Sequence, residues 1–176
     1  MTRKKSLLML GDSLVEWGDW DTLLPDLAVI SRGRAGELCE TLSARLFDEI
    51  DSVREPDCIL LMSGTNNLLM GSPHFTAIFQ TLLPRLTLLC GKSTVFVNSI
   101  LPMTAPGMTK EAVAAVNREL CVTAEGSGCR FLDMTAPFTE QCLPITRPCF
   151  LSDGVHLSTL GYQVWAGEIR KCCLAL

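Results

Sequence analysis

A serine attacks a carbonyl carbon only when a neighbouring base takes its proton, and two short blocks near opposite ends of the chain supply that pair. Ser13 stands in Gly11-Asp12-Ser13-Leu14, directly behind an apolar run at 6–10. A serine there is exposed above the end of a strand, with the chain turning under it at Gly11 and its own N–H claimed by neither a ladder nor a helix. The same letters also read as a plain Asp-Ser turn. His156 stands in Asp153-Gly154-Val155-His156-Leu157. Imidazole is the side chain suited to act as a base at neutral pH. An aspartate three residues earlier can turn back to accept the other ring N–H, which fixes the tautomer and stabilises the imidazolium. The chain has 2 histidines, and the other, His74, follows Pro73 with no acid at matching spacing, so it reads as a surface or capping residue.

A tetrahedral intermediate also needs donors aimed at its developing oxyanion. Gly36 precedes a helix-period segment, where an N–H is unpaired and the missing side chain lets a substrate approach the backbone. Asn66, in Gly64-Thr65-Asn66-Asn67, offers a side-chain amide behind the central apolar run. Glycine before a helix and asparagine in a turn are each ordinary; with the Ser13 N–H they make three donors from three loops. Trp17 and Trp20 follow the serine closely and either wall an acyl or alcohol site or simply pack. Arg32 and Arg34 flank Gly36 and either hold an anionic group or face water.

These residues need a scaffold that brings distant loops to one edge, and the chain alternates short apolar runs with helix-period segments, as βαβ units feeding a parallel sheet do. Strands are expected at 6–10, 27–30, 58–62, 94–97 and 129–132, each handing over to polar or glycine residues at its C-terminal end. Between them, Leu38, Leu42, Leu46 and Ile50 recur at i+4 on one helix spanning 37–50. Ser72-Pro73 starts a helix running to about Cys90, Thr109 caps a third, and Ser158 or Thr159 caps the last. Long loops are expected at 66–72, 101–109 and 134–153, the last containing Pro137, Pro144 and Pro148. All follow strand ends, where open parallel sheets bind ligands.

The ordered set Ser13, Gly36, Asn66 and His156 resembles the SGNH hydrolases, also called the GDSL esterase/lipase family. Gly11-Asp12-Ser13-Leu14 matches the first block, Gly36 the glycine of the second, Gly64-Thr65-Asn66-Asn67 the third, and Asp153-x-x-His156 the last, so the likeness covers nearly the whole chain. The resemblance implies a three-layer α/β/α sandwich with a flavodoxin-like parallel sheet. It further implies Ser13 as nucleophile, His156 as general base and acid, Asp153 as its orienting carboxylate, and Ser13 N–H, Gly36 N–H and Asn66 as the oxyanion hole. It implies no metal and no organic cofactor. Two positions depart from the family pattern: Asn67 stands where aspartate is usual, and Ser31 where the second block often begins with asparagine. The α/β-hydrolase elbow Gly-x-Ser-x-Gly is absent, since Val15 occupies its second glycine position. A thiol hydrolase is disfavoured as well, because no cysteine is set against a histidine as Ser13 is.

Composition bounds the rest. The chain has 176 residues, 48% hydrophobic and 19% charged, which suits one hydrolase domain over 1–176 and excludes general disorder. With 15 Lys+Arg against 19 Asp+Glu, the net charge is −4 and the only basic cluster is Arg3-Lys4-Lys5, so no nucleic-acid partner is expected. No run is long enough for a transmembrane segment or a signal-peptide core. The 9 cysteines show no C-x-x-C spacing; they read as reduced thiols of a cytoplasmic chain rather than a zinc site. The expectation is a cytoplasmic serine esterase acting on small-molecule or lipid carboxylic esters. A carbohydrate O-acetylesterase is the alternative within the class, and a noncatalytic module that keeps the fold is the alternative outside it. The sequence sets neither the substrate-binding residues nor the oligomeric state.

Overall fold

The computed structural model describes residues 3–142 and 148–176. Five strands, β1 (Lys5–Gly11), β2 (Leu27–Gly33), β3 (Cys58–Met62), β4 (Thr94–Asn98) and β5 (Arg130–Leu132), form one parallel sheet in the order β2-β1-β3-β4-β5. Alternate strand residues divide between two cores. Leu8, Leu10, Ile59, Leu61, Val95 and Val97 face one side, and Leu7, Met9, Cys58, Leu60, Met62 and Phe96 the other. Short α1 (Ser13–Glu16) and α2 (Trp20–Leu23) cover the second side together with α7 (Thr135–Cys142) and α8 (Thr159–Leu174). The first side is covered by α3 (Cys39–Val53), α5 (Thr76–Leu89) and α6 (Lys110–Gly126). Helices on both faces explain why the strands read as continuous apolar runs: all of β3 is buried. The result is the expected three-layer α/β/α, flavodoxin-like arrangement. Its strand order reverses between β1 and β3, which places the ends of those two strands at the switch point.

Local chemistry sets most helix starts. The Thr109 side chain accepts from Ala112 N–H and that of Ser158 from Gly161 N–H, as the sequence predicts. Leu42, Leu46 and Ile50 form the buried stripe of α3, but the helix begins at Cys39, with Leu38 as its cap residue. Ser72 makes no side-chain cap; Pro73–Phe75 is a 3-10 turn that drops Phe75 into the core before α5 begins at Thr76.

Two expected loops contain helices. Thr65–Leu69 folds as α4 within the segment read as 66–72. The segment 134–153 contains α7, where Asp133 Oδ1 accepts from Thr135 N–H and buried Phe138 anchors the helix; Pro137 lies in its first turn, where a missing N–H costs nothing. Pro144 lies outside the described residues.

The thiol expectation also needs correcting. Cys142 and Cys149 form a disulfide, with Cα atoms 5.5 Å apart, while the other seven cysteines are free. Spacing alone could not pair these two among nine cysteines. No helix among the described residues is long and apolar enough to cross a membrane.

Candidate active site

Asp12 leaves β1 in extended conformation and its Oδ1 accepts from Leu14 N–H, starting α1 one residue after the sheet ends. Ser13 is therefore the first residue of a helix, where its N–H has no intrahelical acceptor. Its Oγ lies 3.1 Å from His156 Nε2. His156 Nδ1 lies 2.6 Å from Asp153 Oδ2, so a proton on Nδ1 donated to the carboxylate leaves Nε2 as the acceptor for the Ser13 hydroxyl. Asp153 Oδ1 accepts from the N–H of both Val155 and His156 at 2.9 Å. The His156 hydrogen bond, and then these two N–H groups, hold the Asp153 carboxyl down at about 2.

The loop carrying this pair is pinned on both sides. Leu151 N–H donates to His156 C=O and Thr104 N–H to Gly154 C=O. Gly154 sits at φ +71°, and a Cβ there would come within 2.7 Å of the Thr104 backbone, so only glycine lets the two loops approach this closely.

Gly36 has φ +74° and open space where a side chain would stand. Among the described residues its N–H has no acceptor, whereas its neighbours are held: Ala35 N–H donates to Glu16, and Glu37 N–H to Arg34 C=O. Buried Glu37 accepts from Arg45 Nε and Nη2, which anchors the loop to α3. Asn66, on α4, donates an amide hydrogen to Glu37 C=O at 3.0 Å. A primary amide carries two hydrogens, so one remains. Asn66 thus ties the β3 loop to the Gly36 loop, a contact that reading the blocks separately did not suggest. The structure brings Ser13, Asp153 and His156 into direct contact and sets Gly36 and Asn66 together beside β1 and β3.

This arrangement suits acyl transfer: a hydroxyl on an imidazole, the imidazole on a carboxylate, and free N–H groups at the same sheet edge. The model of the GDSL-like lipase/acylhydrolase family matches residues 9–164. The chain belongs to that family. It is a serine esterase, and solved structures agree on its fold. A lipase/acylhydrolase from Enterococcus faecalis superposes with TM-score 0.79 at 19% identity, over 95% of this chain and 94% of that one. An acetylxylan esterase from Geobacillus stearothermophilus gives 0.75 at 18%, over 96% and 94%. A GDSL-like lipase from Bacteroides thetaiotaomicron gives 0.73 at 18%, over 98% and 90%. No match was found among curated proteins.

The GDSL family's usual aspartate in the third block is Asn67 here, and its surroundings account for the amide. Asn67 is buried, its Oδ1 accepts from Cys39 N–H at the start of α3, and its Nδ2 donates to Glu40 Oε2 at 2.8 Å. A carboxylate could accept the first bond but would face Glu40 with like charge in place of the second. Asp12 is the other carboxyl of note. It is buried and raised to about 6, chiefly by burial, with the Leu14 N–H and the Thr65 hydroxyl opposing the rise. Among the described residues its Oδ2 and the Thr65 hydroxyl each lack a partner in full hydrogen-bond geometry, so the Thr65 hydroxyl acts on the carboxyl by proximity rather than by a well-formed bond.

Arg32 and Arg34 both pair with Glu49 at the surface. Trp20 is core, while Trp17 stacks on His156, a role its i+4 spacing from Ser13 could have signalled. Ser13 is only 6% exposed, contrary to the open position expected from its place behind a strand. His74 lies exposed in its turn, as expected. No three metal-ligating side chains cluster among the described residues.

Proposed function

We propose that the chain, as one hydrolase domain over 1–176, cleaves carboxylic esters of small molecules or lipids through an acyl-enzyme on Ser13. The observation that carries this is the relay of 3.1 Å from Ser13 Oγ to His156 Nε2 and 2.6 Å from His156 Nδ1 to Asp153. Ser13 Oγ attacks the ester carbonyl as its proton passes to Nε2. The oxyanion is held by Ser13 N–H, Gly36 N–H and the remaining amide hydrogen of Asn66. His156 then protonates the leaving alcohol as the C–O bond breaks, and water activated by the same imidazole releases the acid. No metal or organic cofactor is called for in these steps.

For the acyl group, an aliphatic or aromatic chain is supported by an apolar cavity of about 660 Å³ lined by Met103, Val113, Phe138, Phe150 and Leu151, which borders the loop of His156 through Leu151 and Thr104 but is lined by none of Ser13, Gly36, Asn66, Asp153 and His156. The acetylxylan esterase with this fold supports carbohydrate O-acetyl esters as the second reading. A p-nitrophenyl ester series of rising acyl length, run beside acetylated xylo-oligosaccharides, tests both. Rates that peak beyond acetate favour the first reading, and acetate release from the sugar with no tolerance of longer chains favours the second. Labelling with an organophosphonate that maps to Ser13 in the parent and vanishes in Ser13→Ala supports the nucleophile; labelling elsewhere overturns it.

The proposed compartment is the cytoplasm, supported by the seven free thiols. The Cys142–Cys149 disulfide works against it, because such bonds are rare where thiols are kept reduced. Mass-spectrometric counting of alkylated cysteines in protein taken directly from cells decides the matter: nine labelled thiols support the cytoplasm and seven refute it.

A further inference from the structure

Trp17 ends the helical turn that Ser13 begins. Its N–H donates to Ser13 C=O at 3.0 Å, and the i, i+4 spacing puts both side chains on one face. The indole consequently lies flat on the His156 imidazole, with ring centroids 4.3 Å apart and planes 27° from parallel. The other tryptophans behave as core: Trp20 and Trp165 are buried and donate their N–H groups to Val15 C=O and Asn98 Oδ1. Trp17 instead remains 54% exposed, so packing alone does not explain its position.

We propose that Trp17 is a positioning residue for the acyl-transfer step, fixing the plane of the His156 ring and favouring its protonated form. This rests on the esterase reading above. An indole face is electron-rich and attracts a cation, with only dispersion and weak dipolar attraction for a neutral ring. In the resting site the imidazole is the neutral acceptor. As Ser13 Oγ bonds the carbonyl carbon, its proton moves to Nε2, the carbonyl electron pair moves to oxygen, and the ring becomes a cation between Asp153 at one edge and Trp17 on one face. The stack is therefore stronger in the transition state than before it, the condition for an effect on kcat rather than KM. The charged groups acting on His156 are Asp153, on its own loop, and Asp12, beneath Ser13. Both remain in a Trp17 variant.

The test uses the full chain with Trp17→Leu and Trp17→Phe, both checked for folding by thermal melting. With a p-nitrophenyl ester, Trp17→Leu is expected to lower kcat roughly two- to five-fold with little change in KM, and to move the acid limb of kcat/KM about half a pH unit lower. Trp17→Phe, which keeps a π face, recovers most of both. An unchanged acid limb, or a loss confined to KM, overturns the proposal and makes Trp17 a substrate wall. Intrinsic fluorescence gives a readout that needs no turnover. Emission from Trp17 should titrate as the stacked imidazole protonates, above a constant contribution from the two buried tryptophans, and the titration should disappear in His156→Gln. Titration without ester turnover would sink the esterase reading while the stack stands. Absence of titration in the parent would overturn the stack whatever the activity.

Discussion

Asp12→Asn isolates the cost of the buried carboxyl beneath the nucleophile. Asparagine keeps an oxygen for Leu14 N–H and offers an NH₂ to the unpartnered Thr65 hydroxyl, so the helix start survives. The Asp12 carboxyl is raised from 3.8 to about 6, roughly two units, and at about 1.4 kcal/mol per unit this amounts to about 3 kcal/mol. The sign follows from which state ionises first. Well below pH 4 both folded and unfolded chains hold the proton and the site carries no penalty. Between about pH 4 and 6 the unfolded chain ionises while the folded one does not, and stability falls. Above pH 6 the folded chain carries a buried carboxylate at the full cost. Asparagine does not titrate, so the stability of Asp12→Asn relative to the parent should improve by about 2.5 kcal/mol between pH 4, where the unfolded carboxyl is already half ionised, and pH 8. In urea this is a gain in relative midpoint of about 1.2 M for a slope near 2 kcal/mol per M. Other titrating groups are common to both proteins and cancel, except His156, whose charge interacts with the Asp12 carboxylate. Equilibrium unfolding followed by far-UV circular dichroism at pH 4, 6 and 8 measures the difference directly. A gap that stays constant across this range would refute the assignment of a raised, buried carboxyl.

Five further outcomes are expected. Ser13→Ala and His156→Ala should each lower kcat on the order of 10⁴ or more, with the double variant hardly worse than either; multiplicative losses in steady-state assays would mean the two do not act as a unit. Asn66→Ala should lower kcat by about 10² to 10³ with KM little changed. Asn67→Asp, by setting a carboxylate against Glu40, should lose about 2 kcal/mol of stability in urea melts, and a variant as stable as the parent would contradict the amide bridge. Gly154→Ala should depress kcat and leave Ser13 slow to react with an organophosphonate, because the added methyl collides with the Thr104 backbone and displaces His156; parent-like labelling would show that the loop tolerates it. Asp153 lies well below the ordinary carboxylate range, so its contribution is present above about pH 4 and lost as pH falls toward 2. The loss should appear as an acid transition in native-state circular dichroism that is diminished in Asp153→Asn.

Much of the molecule was legible in the residues themselves. Five apolar runs, three of them handing over to Gly-Asp, Ser-Gly or Asn-Ser, predict the five strands, and β3 at Cys58–Met62 falls where the run does. Thr109 and Ser158 announce their helices because capping is a matter of a few neighbouring atoms. Spacing also named Asp153 and His156 as a pair, since three residues of chain are enough to close that turn. Contacts between distant segments were another matter. That Asn66 meets Glu37 C=O, and that Asn67 must donate to Glu40 as well as accept from Cys39, depend on how loops from different strands pack at one sheet edge. The buried state of Asp12, and with it the rise of its carboxyl to about 6, likewise follows from the helices and loops that exclude water from it. Local sequence determines hydrogen bonds that close within a turn. The tertiary structure alone decides which side chains lose water and which residues meet across loops, because burial and long-range contact are properties of the assembled layers and not of any one segment.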